Sequence, residues 1–215
     1  MSIPYDPAEA AGVLAQADPV LGRLIDRAGP CTLEASPMET PFVALMRSIV
    51  YQQLSGKAAA TIYGRVCALF DGAAPPLPEA VLAADPALLR GAGMSNAKVA
   101  AVRDLAAKTL DGTLPSLEAL HAMADAEIVE RLICVRGVGP WTAEMMLIFW
   151  MGRPDVLPVT DLGVRKGFMY TYGRDGLPDA AELLSHGERW RPYRSVASWY
   201  LWRAVDLQMV VEGSA

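Results

Sequence analysis

Cysteine is scarce in this chain: Cys31, Cys67 and Cys134 stand far apart in 215 residues. An odd, widely spaced set excludes a disulfide framework and a zinc site, and predicts three buried thiols. Long apolar runs are missing as well. Residues 145–151 form an apolar stretch far shorter than the roughly 20 residues needed to span a bilayer. The opening MSIPYDPAEAAG has neither the basic start nor the apolar centre of a secretion signal, so a cytoplasmic protein without a membrane partner is expected. No stretch of credible length alternates as a strand, and no repeat or low-complexity tract occurs, which predicts an all-α fold. Positive charge is also short. A net charge of −5 excludes a protein that coats nucleic acid through a global positive field.

What is present is enough apolar residue, 53%, to bury a substantial core. Charge is unevenly spread: residues 134–203 hold nine Lys/Arg against seven Asp/Glu, whereas residues 1–133 hold ten against fifteen. That balance suggests a mildly basic working face on an acidic body, with few phosphate contacts and a modest salt dependence.

Helix signals recur along the chain. The residues up to Gly12 read as a loose surface segment. Asp18-Pro19 opens a helix that buries Val20, Leu21, Leu24 and Ile25 and ends near Gly29-Pro30; Thr40-Pro41 opens a stronger one carrying Phe42, Leu45, Met46, Ile49 and Val50 at helical spacing. Residues 52–56 interrupt it before a helix over 57–70. By periodicity alone Gln52 and Gln53 are a polar helix end. A proline-rich connector over 73–78 leads to short helices over 78–84 and 86–89. Ser95 caps a helix reaching Leu110 with Val99, Val102, Leu105 and Leu110 inward, and Lys98 reads as a solvated side chain in preference to a DNA contact. Asp125 caps a helix over 126–133. Later helices are predicted to Tyr172, over 180–184 and over 194–210.

The stretch over 133–166 organises the rest. Val135-Arg136-Gly137-Val138-Gly139-Pro140-Trp141-Thr142-Ala143 reads as helix, tight hairpin and helix. Glycine permits positive φ and close approach of another backbone, and Pro140 suits a first helical position. The hairpin would then end in free amides at a helix N-terminus, a group that binds anions such as a DNA phosphate. Taken alone, such a Gly/Pro turn is more often a structural helix connection.

With Leu157-Pro158-Val159-Thr160-Asp161-Leu162-Gly163-Val164-Arg165-Lys166 following, the chain resembles the helix-hairpin-helix base-excision DNA glycosylase superfamily, and within it the 3-methyladenine DNA glycosylase II group. Residues 48–55 (Ser-Ile-Val-Tyr-Gln-Gln-Leu-Ser) and 190–195 (Trp-Arg-Pro-Tyr-Arg-Ser) carry the same resemblance in the same order, so the likeness runs from about Phe42 to Trp202.

The resemblance implies a two-lobed all-α unit over 1–215 in the compact form of the group, with no N-terminal β domain. One lobe would cover 45–160, with the helix-hairpin-helix at about 126–152; residues 1–44 and 161–215 would form the other, with the active site in the cleft between them. It implies Asp161 as the catalytic carboxylate, because breaking an N-glycosidic bond builds oxocarbenium character that negative charge stabilises. From the residues alone, Asp161 reads as a helix cap rather than a catalytic group. Gly137, Val138 and Gly139 become the DNA-binding hairpin, and Gln52, Gln53 and Leu54 the intercalating loop, with Gln53 filling the gap left by an extruded nucleotide. Trp141, Trp202 and Tyr51 would line the base pocket, where Met145 replaces a relative's tyrosine. Trp150, Trp190 and Trp199 belong to core or rim. Strand-cutting members carry a lysine at the position of Trp141; an indole is no nucleophile, so a monofunctional enzyme is expected. No cysteine follows Cys134, so the iron–sulfur cluster of some relatives is not expected, and no other cofactor is. The resemblance also implies a structural Na+ or K+ held by the backbone carbonyls of Ile133, Val135 and Val138. The implied partner is damaged double-stranded DNA, bound by a monomer acting at a bacterial-type nucleoid. Three rivals stay open: a glycosylase for etheno adducts or methylated pyrimidines, a non-catalytic helix-hairpin-helix module that only grips DNA, and an α-helical small-molecule enzyme in which the Gly-Val-Gly-Pro turn is incidental.

Overall fold

The computed structural model describes residues 3–37, 40–70 and 75–207. Among these residues all regular secondary structure is helical. Proline supplies much of the punctuation, since at a first helical position it gives up only an N–H that has no partner there. It opens α1 (Pro7–Ala17), α2 (Pro19–Ala28) and α3 (Pro41–Tyr51), and, after α4 (Gly56–Ala68), also α5 (Pro78–Ala83) and α6 (Pro86–Gly91). Asp6, Asp18, Thr40 and Asp85 stand just before four of these prolines and cap the helices with side-chain oxygens. The chain continues through α7 (Asn96–Leu110), α8 (Leu117–Ala122), α9 (Asp125–Ile133), α10 (Pro140–Phe149), α11 (Leu162–Thr171), α12 (Ala180–Gly187), a 3-10 turn at Glu188–Trp190 and α13 (Arg194–Asp206).

Several expectations need correction. The segment up to Gly12 is not loose: α1 begins at Pro7 and buries Ala10, Ala11 and Leu14. Its alanines give a weak apolar period, but Asp6-Pro7 is the same start signal as Asp18-Pro19. Asp125 is the first residue of α9 rather than its cap, and the Glu127 carboxylate accepts from Ala124 N–H at 3.0 Å instead. Ser116 caps α8, a helix not anticipated. Leu110 is exposed at the end of α7. Of the three cysteines Cys67 is buried, Cys31 is partly buried and Cys134 is exposed. The last three residues of the helix expected over 194–210 lie outside the described residues.

The chain divides into two compact units, Met1–Ser36 with Leu147–Ala215, and Pro37–Met146. The junctions expected at 44/45 and 160/161 therefore fall earlier, at 36/37 and within α10.

In the unit built from the two chain ends, Leu14, Leu21, Leu24, Phe168, Leu183, Trp190, Tyr200 and Leu201 form a continuous core. Helices α11 and α13 cross closely because position 167 has no side chain: a Cβ on Gly167 would lie 1.9 Å from the Leu201 carbonyl oxygen. Asp18 is 2% exposed and accepts from Tyr172 Oη (2.6 Å) and Trp190 Nε1 (3.1 Å), with His186 Nε2 at 3.0 Å. Burial opposes its charge, but these partners and the Leu21 N–H hold its carboxyl well below the usual range. In the central unit α7 packs against α3 and α5, burying Val99, Val102 and Leu105 with Leu45, Met46, Ile49 and Val50.

Candidate functional site

The hairpin lies in the central unit, between α9 and α10. Val135 N–H donates to Leu132 C=O (3.1 Å), Gly137 takes φ of 79°, and Val138 N–H donates to Val135 C=O (3.0 Å). Val138 N–H is thus committed inside the turn and is not one of the free amides expected there. Gly139 C=O accepts from Ala143 N–H at 3.1 Å, the first bond of α10. Helix α7 supports the turn from below. A Cβ on Gly137 would sit 3.2 Å from the Ala101 methyl. Asp104 accepts from Arg136 N–H and from the Lys108 ammonium, both at 2.7 Å, and Lys108 also donates to Cys134 C=O at 2.5 Å. Burial works against the Asp104 charge, yet the Arg136 and Lys108 bonds hold its carboxyl below the ordinary range.

Beside the hairpin a cleft of about 550 Å3 is lined by Ser48, Tyr51, Gln52, Gln53, Gly137, Trp141, Thr142 and Met145. Five expected site residues from two distant segments, Tyr51, Gln52, Gln53, Trp141 and Met145, therefore meet here with the hairpin's Gly137. Trp141 is 44% exposed. Tyr51 packs edge-on against Tyr63 at 6.3 Å and carries the Arg47 guanidinium 5.1 Å from its ring centre. Ser48 and Thr142 were not foreseen, although they stand one turn and one residue from Tyr51 and Trp141. The Ser48 hydroxyl donates to Ala44 C=O at 3.0 Å. A larger cavity of about 780 Å3 in the same unit is rich in proline, with Phe42, Leu77 and Leu114 and a single charged side chain, Arg131. Nothing in it is equipped for chemistry.

The loop after α3 is tightly tied. Gln52 Nε2 donates to Gly137 C=O at 2.9 Å, which links loop to hairpin. Gln53 adopts φ of 57°, a conformation that disfavours a residue with Cβ by about 1–2 kcal/mol. Leu54 is 39% exposed, and Ser55 caps α4. Lys98 is not the solvated side chain expected: its ammonium donates to Val50 C=O and Gln52 C=O, both at 2.7 Å. Burial pushes its pKa down.

Asp161 and Trp202 belong to the other unit, where the structure brings them together. Asp161 caps α11, and its Oδ1 accepts from Val164 N–H (2.7 Å) and from Trp202 Nε1 (2.8 Å). One carboxylate oxygen thus accepts both from the N-terminus of α11 and from the indole N–H. The Trp202 ring stacks on Phe149 with centroids 5.5 Å apart. Gly163 makes room for the pair, since a Cβ there would lie 2.7 Å from Trp202 Cδ1 and 3.0 Å from Asp161 Oδ1.

The Trp190–Ser195 segment fixes the approach to Asp161. Arg194 Nε donates to Asp155 Oδ1 (2.6 Å) and Nη2 to Asp155 C=O (3.0 Å), while Nη1 reaches Glu188 at 3.3 Å. Ser195 donates through its hydroxyl to Arg153 C=O (2.6 Å) and through its N–H to Pro154 C=O (2.9 Å), and its oxygen accepts from Val156 N–H (3.0 Å). Residues 153–156 are thereby clamped just ahead of Pro158 and Asp161. Of the remaining tryptophans Trp190 is fully buried, while Trp199 packs edge-on to Tyr200 under Arg203.

Residues 46–192 match the model of the HhH-GPD superfamily of base excision DNA repair proteins. The chain belongs to that superfamily. It is 35% identical over 167 residues to DNA-3-methyladenine glycosylase 1 of Schizosaccharomyces pombe, a match that covers 78% of this chain and 73% of the relative. Among solved structures it is similar to the S. pombe 3-methyladenine DNA glycosylase in complex with abasic DNA, with a TM-score of 0.83 and 31% identity, covering 96% of this chain and all of that one. A DNA-3-methyladenine glycosidase from Bacillus halodurans gives a TM-score of 0.82 and 37% identity over 94% of this chain and 90% of its own. The hairpin at Gly137–Gly139 and the carboxylate at Asp161 both lie inside the matched residues.

No helix among the described residues is long and apolar enough to cross a membrane.

Proposed function

We propose that the protein is a monofunctional DNA glycosylase that extrudes alkylated purines from double-stranded DNA and hydrolyses their N-glycosidic bond, leaving an abasic site for base excision repair. The observation that carries this reading is the Asp161 carboxylate at the head of α11, held by the Trp202 indole N–H at 2.8 Å and by Val164 N–H. Capping α11 needs only the Val164 bond, and the second donor, the Trp202 indole, is what a module that merely grips DNA would not require. The relatives named for 3-methyladenine release supply the substrate class.

In this mechanism the hairpin around Gly137–Gly139 holds a phosphate while Gln53 occupies the space vacated by the damaged nucleotide. Methylation at N3 or N7 makes a purine cationic, so it stacks well on an electron-rich ring and leaves readily. Trp141, 44% exposed in the cleft beside the hairpin, offers such a ring. As the glycosidic bond breaks, its electron pair goes to the base, which departs neutral. The positive charge left on the sugar is stabilised by Asp161, and water adds to the anomeric carbon and gives up its proton to solvent, yielding the neutral abasic sugar. Trp141 offers no amine, so no covalent sugar adduct forms and the strand stays whole.

No cofactor is needed for these steps. The carbonyls of Ile133, Val135 and Val138 would hold Na+ or K+ in the hairpin, where the ion adds positive charge beside the phosphate. Hard oxygen donors suit such an ion, and Val135 C=O keeps a second lone pair after accepting from Val138 N–H. The protein would act as a monomer on chromosomal DNA in the cytoplasm.

The test is a panel of duplexes carrying one 3-methyladenine, 7-methylguanine or ethenoadenine, assayed under single-turnover conditions with wild type and Asp161→Asn. Wild type releases a methylated purine and leaves a site that breaks only after alkali or heat, and borohydride traps no protein–DNA adduct. Asp161→Asn keeps DNA binding and loses at least about 100-fold in rate, since its interaction is made only in the transition state. A trapped adduct would overturn the monofunctional assignment. Retention of more than a tenth of the wild-type rate would remove Asp161 from the chemistry, and preferential release of ethenoadenine would reassign the substrate.

A further inference from the structure

We propose that Lys98 is a positioning residue for base extrusion: from the first turn of α7 it holds the Gln52–Gln53 loop in the conformation that presents Gln53 to the duplex. The inference rests on the glycosylase reading above. Its basis is a three-way tie inside the central unit. The Lys98 ammonium donates to Val50 C=O and Gln52 C=O at 2.7 Å each. These carbonyls stand at the C-terminal end of α3, where the last carbonyls of a helix have no intrahelical partner and a cation is favoured by the helix dipole. The Gln52 side chain then reaches Gly137 C=O at 2.9 Å, joining the loop to the phosphate-binding turn.

The residue controlled by this tie is Gln53. Its φ of 57° is one that a side-chain-bearing residue leaves unless its neighbours are fixed. On one side Gln52 is pinned through both its carbonyl and its amide. On the other, Leu54 N–H donates to Tyr51 C=O at 3.3 Å, and Ser55 caps α4. Removing the ammonium releases the Gln52 carbonyl and lets Gln53 relax to ordinary φ, moving its side chain away from the duplex. The fold does not depend on it, because α3 is anchored by Leu45, Met46, Ile49 and Val50, all fully buried.

A wedge matters most when the damaged base is still paired, and least when the opposite base is missing. The discriminating experiment takes the modified purine that wild type releases fastest from the panel above and places it once in a duplex, either opposite its pairing base or opposite an abasic site. Lys98→Met keeps the aliphatic stem without the donors; Lys98→Arg keeps donors. The expected result for Lys98→Met is a rate at least about 20-fold below wild type on the paired lesion and within about threefold on the unpaired one, with Lys98→Arg restoring most of the paired rate. Equal losses on both substrates would show a role in chemistry or folding and overturn the proposal, as would no loss on either. Thermal unfolding within a few degrees of wild type confirms that Lys98→Met is folded. Should wild type release no base from the panel, the glycosylase reading itself fails and takes this inference with it.

Discussion

Replacing Gly163 with alanine adds one methyl group at the point where Asp161 and Trp202 meet. That Cβ would lie 2.7 Å from Trp202 Cδ1 and 3.0 Å from both Trp202 Nε1 and Asp161 Oδ1. Unstrained carbon contacts are about 3.5–4.0 Å, so the indole and carboxylate must withdraw by roughly 1 Å, and their 2.8 Å hydrogen bond does not survive that shift intact. Displacement of a reacting group by about 1 Å costs on the order of 100-fold in rate. The stability effect is much smaller. Alanine favours a helix over glycine by about 1 kcal/mol, whereas overpacking costs about 1–3 kcal/mol, leaving a net loss of at most about 2 kcal/mol. For a chain of this size that lowers Tm by no more than about 8 °C. Single-turnover base release and thermal unfolding, measured on the same preparation, separate the two effects. The expected variant is folded at the assay temperature and about 100-fold slow. In a Trp202→Ala background the added methyl should cost little further rate, because the pair it disturbs is already broken. A Gly163→Ala rate within threefold of wild type would refute the argument that this carboxylate geometry limits turnover.

Two further predictions concern DNA grip and acid stability. A Cβ on Gly139 meets nothing within 4 Å, so Gly139→Ala should leave Tm unchanged while weakening binding to damaged and undamaged duplex alike; fluorescence anisotropy across a salt series should show the same slope as wild type, since no cation is removed. A loss confined to damaged duplex would move Gly139 from phosphate contact to base reading. Because the Asp18 carboxyl is held below its ordinary value in the folded state, its contribution is complete above the unfolded pKa of about 4 and fades only as pH falls through the folded value. Asp18→Asn, which keeps the capping oxygen, should therefore be less stable in urea by about 1.5–3 kcal/mol between pH 5 and 7, with the gap narrowing only below about pH 4. A gap that closes well above pH 5 would place the titration on another group.

The parts of this protein legible in its sequence are those written over a few consecutive residues. Helix starts at Pro19, Pro41, Pro78, Pro86 and Pro140, the cap at Asp161 and the break at Gln52 follow from local stereochemistry, and the structure has each of them. The failures come from contacts across long sequence distances. Lys98 reads as a solvated lysine on an amphipathic helix, yet its partners lie 48 and 46 residues earlier. Ser48 and Thr142 have the sequence context of ordinary helix residues; only the meeting of α3 with the hairpin makes them cleft walls. Gly163 looks like a poor helix residue until Trp202 is seen against it. Residues 190–195 were visible as a motif without a role, because the role is a set of bonds to residues 153–156. The α1 miss is different in kind, since Asp6-Pro7 carried the signal and the alanine face behind it was too small to register as a core.

Most of the cations on the mildly basic stretch are held by the protein itself. The mildly basic balance over 134–203 suggested a working face, but Arg165, Arg174, Arg189, Arg191, Arg194 and Arg203, six of its nine cations, donate to carbonyls or carboxylates of the protein itself. In the central unit Lys98, Arg103 and Lys108 are committed in the same way. Cations already paired release few counterions on binding DNA, so in the function proposed above grip comes from backbone dipoles at the hairpin and the N-terminus of α10 rather than from mobile ammonium groups. Dipoles of that kind act over a turn of helix and are blind to sequence. On that proposal an acidic chain holds one phosphate at the hairpin while repelling DNA elsewhere. That combination suits a protein that must let go of undamaged DNA far more often than it acts.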